Sequence, residues 1–221
     1  MQLEPIGWFE SPFGEKFGTP RQSGVVPEVP GVVHFYPQFA RPEALRGLEG
    51  FDWIWILWEF SLNKEDGVGH TTVRAPRLGG NERMGVFATR SPYRPNPIGL
   101  SSVRLTGVDT VDCTLNVVGG DLVDGTPILD IKPYIAYTDA HPDALGGFTD
   151  SRQWHKLSIG NPSDAARLVP RELVPSLLCA LENDPRPQYH KDNTRVYGLK
   201  FAGSDIHFTI ADDIITILTN E

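Results

Sequence analysis

The hydrophobic positions of the chain fall in short runs that alternate with polar residues or are rich in β-branched side chains, and Gly and Pro separate the runs. Alternation with a period of two is typical of strands that bury one face. The pattern predicts strands over 3–10, 31–36, 51–60, 83–88, 100–108, 114–118 and 126–131. Many short strands with turn residues between them favour a barrel or a sandwich.

The pattern changes beyond Tyr137, where a loose, polar stretch predicts a domain boundary near residue 145. Helical segments are predicted over 163–168, capped by Ser163, and over 171–181, where Pro175 is tolerable only in the first turn. Strands are predicted over 195–201, 206–210 and 214–218, and a further short helix over 42–48. The expected fold is mainly β, or α+β: an N-terminal β-barrel (1–145) with a small α+β C-terminal domain (146–221).

Composition agrees with a globular protein that buries a core, since 40% of the 221 residues are hydrophobic and 22% are charged. The most apolar run, 51–60, is too short to cross a bilayer and contains Asp52 and Glu59. The N-terminal residues have no signal-peptide pattern, and Cys113 and Cys179 are far apart without a CxxC motif. We therefore expect a cytoplasmic protein that does not span a membrane.

The charge pattern leaves two interpretations open. The net charge of −8 opposes a nucleic-acid partner, because phosphate binding depends on Lys and Arg. The arginines are nevertheless concentrated between residues 74 and 104, and the next forty residues are rich in aspartate. The basic stretch could bind RNA locally. Charge alone favours the other interpretation, in which these arginines pair with acidic residues of the same chain.

Three polar segments rich in Pro and Gly are the candidates for chemistry: TPRQSG (19–24), ATRSPYRPNPIGLSSV (88–103) and DLVDGTPILDIKPY (121–134). Proline and glycine together give rigid backbone with exposed donors and acceptors, which suits the binding of a polar ligand. Each segment alone is also compatible with an ordinary turn. Their occurrence together and in this order indicates a binding site.

The same segments resemble the TrmO family, also called TsaA-like or YaeB-like proteins. The matching words are IGWFESPFGEKFGTPRQ, LRGLEGFDWIWIL, VRAPRLGGNERMGVFATRSPYRPNPIGLSSV and DLVDGTPILDIKPY, which cover most of 5–138, with DPRPQY (184–189) as a shorter match. The resemblance implies a methyltransferase that uses S-adenosylmethionine to methylate N6 of threonylcarbamoyladenosine at position 37 of tRNA. It also implies a non-Rossmann, cofactor-binding barrel and a homodimer with the cofactor near the subunit interface. The absence of a GxGxxG word after a strand agrees with this fold.

Carried over residue by residue, the resemblance places the cofactor contacts in four segments. They are Pro20, Arg21 and Gln22; Ser61 and Leu62; Arg90 and Leu100; and Asp124, Gly125, Thr126 and Pro127. Relatives can carry His-Gln where this chain has Ser61-Leu62, so the sequence departs from the family pattern there.

Two further sets of candidates follow from residue type and placement. N6 of the modified base is bonded to a carbonyl group, so an acceptor for its proton would assist catalysis. Asp124 and Tyr134 are the predicted acceptors, and assistance by water or by the substrate is the open alternative. The anticodon loop of tRNA is expected to contact arginine and aromatic side chains. The tRNA-contact candidates are Arg74, Arg77, Arg83, Arg94, Arg186 and Tyr189.

Two other function classes stay open: an RNA- or ligand-binding barrel without catalysis, and a methyltransferase of small molecules. The acidic balance favours the latter slightly, and the arginine-rich stretch opposes it. No metal site is predicted, because the six histidines are scattered without HxH or HExxH spacing.

Overall fold

The computed structural model describes residues 2–63, 71–74, 83–150, 155–186 and 192–219. The first eight strands in these ranges are β1 (Gly7–Glu10), β2 (Pro30–Phe35), β3 (Trp53–Glu59), β4 (Thr72–Arg74), β5 (Arg83–Gly85), β6 (Ile98–Asp109), β7 (Thr114–Val118) and β8 (Thr126–Pro133). Six of them close into a barrel in the order β1-β2-β7-β6-β3-β8, and β4 and β5 form a separate two-stranded ribbon. The predicted N-terminal β-barrel is confirmed.

Alternation of apolar and polar positions explains how the barrel fills its interior. On β3, Ile54, Ile56 and Trp58 are buried and the residues between them are partly exposed. They join Val103 and Leu115 from neighbouring strands in one apolar cluster. The register shifts between Leu57 and Trp58 in the β3–β8 pair, and a second shift lies between β6 and β7. Such irregularities bend strands and help a six-stranded sheet to close.

The helices are short. α1 (Pro42–Leu45) precedes β3, α2 (Ala136–Asp139) follows β8, and α3 (Val174–Glu182) packs in the C-terminal part. Four further strands, β9 (Ser158–Ile159), β10 (Val196–Phe201), β11 (Ser204–Ala211) and β12 (Ile214–Leu218), form a sheet in the order β10-β11-β12-β9. Within the described ranges, none of the helices is long and apolar enough to cross a membrane.

Local expectations need three corrections. The predicted strand 83–88 ends at Gly85 and continues as a 3-10 helix (Val86–Ala88), whose last turn is closed when Thr89 donates its N–H to Val86 O at 3.1 Å. The predicted helix 163–168 is a 3-10 helix, Pro162–Arg167, that follows Asn161. Ser163 does not cap it, because it lies inside the helix.

The third correction concerns 171–181, which is a 3-10 turn (Arg171–Leu173) followed by α3, with Pro175 in the first turn of α3 as required. Pro175 is accommodated there because the first backbone N–H groups of a helix have no intrahelical partner.

The described residues form two hydrophobic cores, and the segment between β1 and β2 belongs to the second one. We call this segment, residues 11–29, the arm. Phe13, Val26 and Val29 of the arm are buried in the core of the C-terminal sheet. The ring of Phe13 meets the ring of Phe201 edge-on at a centroid distance of 5.1 Å. The predicted domain boundary at residue 145 stays a prediction. Packing places part of the first 145 residues in the second core.

Candidate functional site

A cleft of about 2200 Å³ lies between the arm, the barrel wall formed by β3 and β6, and the loop that precedes β6. Small-molecule pockets are usually several hundred Å³ in volume, so this cleft has room for a nucleotide beside a cofactor. Three of its lining residues, Gln22, Arg90 and Thr126, come one from each of the three Pro/Gly-rich segments. The sequence expectation that these segments converge is therefore confirmed in its geometry.

The arm supplies the first wall through Pro20, Arg21 and Gln22, of which Pro20 is buried and Arg21 is exposed. Thr19 closes the turn before them by donating its hydroxyl to Glu15 O at 2.6 Å. After them, the N–H of Gly24 donates to Gly119 O at 2.9 Å, which ties the arm to the barrel. The turn is thus held at both ends.

The loop before β6 supplies the second wall. Arg90 donates from Nη1 to Oε1 of Gln22, so the first and second segments are in direct contact across the cleft. Arg94 donates to Thr89 O at 3.1 Å, which braces the loop from within. Leu100 lies at the start of β6, lines the cleft and is 52% exposed, which suits an apolar contact with a ligand.

The turn before β8 contributes less to the lining than expected. Thr126 is buried and lines the cleft, whereas Asp124, Gly125 and Pro127 are not among the lining residues. Asp124 Oδ1 accepts the N–H of Ser11 at 3.0 Å, and Gly125 N–H donates to Phe9 O at 2.8 Å with φ 75°. These contacts join the turn to the chain between β1 and the arm.

The dipeptide after β3 lines the cleft although it departs from the family pattern. Ser61 and Leu62 are both exposed there. Lys16 of the arm donates from Nζ to Leu62 O and to Asn63 Oδ1, both at 2.5 Å. Partial burial lowers the pKa of Lys16. The lysine thus links the arm to the end of β3 at one side of the cleft.

Sequence reasoning did not single out Asp121, which lines the cleft. The buried hydroxyl of Ser101 donates to Asp121 Oδ1 at 2.5 Å, and the indole N–H of Trp58 donates to Ser101 Oγ at 2.9 Å. Burial raises the pKa of Asp121 to about 6, although the Ser101 hydroxyl and the charge of Arg90 act in the opposite direction. Asp121 opens the DLVDGTP word, but nothing in the word shows which of its two aspartates faces the cleft.

Tyr134, the second predicted proton acceptor, is not among the cleft-lining residues. Its ring packs against Trp55 at a centroid distance of 5.5 Å, and its backbone N–H donates to Trp53 O at 3.0 Å. Because Trp55 also donates to Asp139 at 2.9 Å, Tyr134 lies in a cluster with α2. This placement gives no support to the predicted catalytic role.

The tRNA candidates divide into three groups. Arg83 and Arg94 line the cleft, and Arg83 also donates to Thr72 Oγ1 at 3.0 Å. Arg186 is paired with Asp184 at 3.1 Å, and its side chain is only 15% exposed, so an intramolecular contact occupies it. Arg74 lies on β4, and Arg77 and Tyr189 lie outside the described residues. Among the described residues, no group of three or more His, Cys, Asp or Glu is arranged to hold a metal ion.

Within the residues that the structure describes, the fold and the cleft define a class of protein: a closed β-barrel with a cleft between Pro/Gly-rich loops and without a doubly wound dinucleotide-binding sheet. Family models for the tRNA-methyltransferase O N-terminal domain and for the TrmO C-terminal domain match residues 8–140 and 166–221. The chain belongs to the TrmO family.

Individual relatives match along nearly the whole chain. The tRNA (adenine(37)-N6)-methyltransferase of Escherichia coli (strain K12) is 39% identical over 96% of this chain and 94% of that protein. A putative S-adenosylmethionine-dependent methyltransferase of Pseudomonas aeruginosa, RcsF, is 39% identical over 98% and 96%. The crystal structure of TrmO from Pseudomonas aeruginosa superposes with a TM-score of 0.78 at 32% identity and covers 99% of this chain and 96% of that one.

Proposed function

We propose that this protein transfers a methyl group from S-adenosylmethionine to N6 of threonylcarbamoyladenosine at position 37 of tRNA. The observation that carries the proposal is the meeting of Gln22, Arg90 and Thr126 in one cleft. The names of the relatives from Escherichia coli and Pseudomonas aeruginosa support the adenine target and the cofactor.

The cleft residues fit the chemistry of the cofactor. Arg21 and Arg90 offer guanidinium groups for its carboxylate. The exposed face of Leu100 suits the adenine ring. When bound, the cofactor supplies an electrophilic methyl group on a positively charged sulfur. Because such a transfer is an in-line displacement, the main work of the protein is to position the two reactants.

The tRNA is proposed to approach from the side of the cleft lined by Arg83, Phe87 and Tyr93. Phe87 is 79% exposed, so its ring offers a face for a splayed nucleobase, and Tyr93, 40% exposed, lies on the same side of the cleft. Single-stranded RNA loops are commonly held by such stacking and by arginine contacts to phosphates. Thr126 and Gln22 then lie deeper, where the target base would meet the cofactor.

A homodimer and a cytoplasmic location complete the proposal, and both rest on the family resemblance. Leu62, an exposed apolar side chain at the cleft, agrees with a second subunit near the cofactor. Sedimentation of the purified protein tests the dimer directly: a monomer at micromolar concentration would contradict it.

The decisive experiment incubates the pure protein with labelled S-adenosylmethionine and total tRNA from cells that have or lack threonylcarbamoyladenosine. Nucleoside mass spectrometry identifies the product. Methylated threonylcarbamoyladenosine from the first tRNA pool, and no product from the second, is expected. Cofactor and tRNA binding without product would favour the non-catalytic barrel, and a labelled small molecule would favour the other alternative.

A charge reversal tests the proposed tRNA surface. Arg83→Glu places an acid in the cleft and is expected to weaken tRNA binding, most strongly at low salt, with cofactor affinity unchanged. Arg46→Glu is the matched control, because Arg46 is exposed near α1 and is not a cleft-lining residue. Equal tRNA affinity of the two variants would contradict the proposed surface.

A further inference from the structure

The carboxylate of Asp121 lies in an unusual position. None of the binding contacts predicted from the sequence involves it. It lines the cleft, but neighbouring groups shield most of it from water. These groups are Ser101 of β6, the backbone N–H of Ser23 in the arm and Arg90 of the loop before β6. Arg90 is the charged side chain that acts on it. Asp124, in contrast, is exposed and accepts the N–H of Ser11.

The hydrogen-bond geometry leaves this carboxylate able to accept another proton donor. The hydroxyl of Ser101 is its hydrogen-bond donor, and the backbone N–H groups of Ser23 and of Asp121 itself act on it electrostatically. A carboxylate offers about four acceptor positions, so the bond from Ser101 leaves room for a ligand. The indole N–H of Trp58 donates to Ser101 Oγ at 2.9 Å. This bond orients the hydroxyl that Ser101 donates to Asp121.

We infer that Asp121, and not Asp124 or Tyr134, accepts the proton that N6 of the target base loses during methyl transfer. The inference deepens the proposed function and rests on it. The new bond forms between N6 and the methyl carbon, the carbon–sulfur bond breaks and the sulfur keeps its electron pair. The N6–H bond then gives its proton to the Asp121 carboxylate, which returns it to water after the product leaves.

The electrostatic surroundings suit this task. An acceptor works best when its pKa lies near the working pH, because it must be ionised before the transfer and still hold a proton afterwards. Burial brings Asp121 into this range, with a pKa of about 6. A fully solvated aspartate, with its pKa near 4, would be a weaker base at neutral pH.

The test is Asp121→Asn, which retains the shape of the side chain and an oxygen for Ser101 but cannot take up the proton. Single-turnover methylation of tRNA with saturating cofactor is expected to fall by about 10²–10⁴-fold. Cofactor affinity, measured by calorimetry, is expected to change by less than about tenfold, a threshold of 1.4 kcal/mol. The wild-type rate is expected to rise with pH through about 6, and this rise should disappear in the variant.

Ser101→Ala separates a proton acceptor from a merely structural side chain. Loss of the Ser101 hydroxyl removes a contact that lowers the pKa of Asp121, so the rise in rate should move to higher pH. A structural role would lower the rate without moving the profile. Thermal unfolding of each variant checks that it is folded.

Three outcomes would overturn the inference: wild-type rates in Asp121→Asn, loss of cofactor binding in that variant, or loss of the pH-dependent rise in Asp124→Asn instead. The pKa of Asp121 can also be measured without substrate or cofactor, from the pH dependence of unfolding of the wild type and the Asn variant. If the wild type methylates no tRNA but this measurement still gives a pKa near 6, the proposed function fails and the described geometry of Asp121 stands.

Discussion

The two hydrophobic cores differ in how they are built from the chain. The barrel core is filled by strands whose inward positions alternate along the sequence, such as Ile54 and Ile56 of β3. The C-terminal core combines a sheet and α3 from residues after 155 with Phe13, Val26 and Val29 from the arm. The arm also carries Pro20, Arg21 and Gln22 to the cleft. The segment that forms one wall of the cleft is therefore packed in the C-terminal core.

Contacts of the arm with the two regions are also unequal. Against the C-terminal part, Gly14 N–H donates to Lys200 O at 3.1 Å, and Phe13 is completely buried. Against the barrel, the arm makes backbone hydrogen bonds, such as Gly24 N–H to Gly119 O at 2.9 Å, and an exposed ion pair between Glu28 and Arg104 at 3.2 Å. Buried packing contributes more to stability than exposed ion pairs. The C-terminal core should consequently dominate the position of the arm.

The largest expected effect compares Phe13→Ala with Phe9→Ala. Both rings are buried, one in each core, so each substitution should lower the free energy of unfolding by about 3–5 kcal/mol. Urea unfolding measures this. Under conditions where both variants are folded, Phe13→Ala should weaken cofactor binding more, because it releases the arm. An equal loss of affinity would show that the C-terminal core does not position the arm.

The next effect concerns Gly18, where φ is 85° and an added Cβ would lie 2.1 Å from Cδ1 of Leu199. Gly18→Ala should destabilise through both backbone strain and overpacking, by about 2–4 kcal/mol. Gly47→Ala is the matched control: its φ is 89° but nothing lies within 4 Å of the added Cβ, so strain alone remains. Similar free energies of unfolding for the two variants would contradict close packing of the arm on β10.

A smaller effect is expected from Asp121→Asn, and it depends on pH. The folded-state pKa of about 6 lies above the value of an unfolded aspartate, so the native state binds more protons between about pH 4 and 6 and the wild type loses stability as pH rises through this window. The variant lacks this loss. At pH 7 it should be more stable by on the order of 2 kcal/mol, and below pH 4 the difference should vanish.

Thermal unfolding across this pH range measures the effect. Asp112→Asn is the control, because Asp112 is exposed in the turn between β6 and β7. A pH-independent difference between the wild type and Asp121→Asn would show that the Asp121 carboxyl is not desolvated in the folded protein.

The smallest effect is expected where the arm meets the barrel at Arg104. Arg104→Ala removes an ion pair whose side chains are 45% and 69% exposed, so the free energy of unfolding should change by less than about 1 kcal/mol. Cofactor affinity should stay unchanged. If Arg104→Ala lowered the free energy of unfolding as much as Phe13→Ala does, the C-terminal core would not be the stronger attachment of the arm.

Sequence patterns were sufficient where a structure depends on neighbouring residues. The alternation of apolar and polar positions predicted Thr114–Val118 and Ile214–Leu218 with their observed bounds, and the family words located the three segments that line the cleft. Where a local hydrogen bond redirects the backbone, as at Val86–Ala88, the pattern predicts a longer strand than the chain forms. Strand propensity alone does not predict the hydrogen bond that closes such a turn.

The sequence by itself determined the set of strands, the barrel that they favour and the sequence motifs that line the candidate ligand site. The tertiary structure alone decided that Asp124 meets Ser11, 113 residues away, while Asp121 faces the cleft. It also decided that Phe13 joins the second core. The physical reason is that side-chain direction in an irregular turn depends on which distant partner buries or bonds it, and that partner is set by closure of the barrel and docking of the C-terminal sheet.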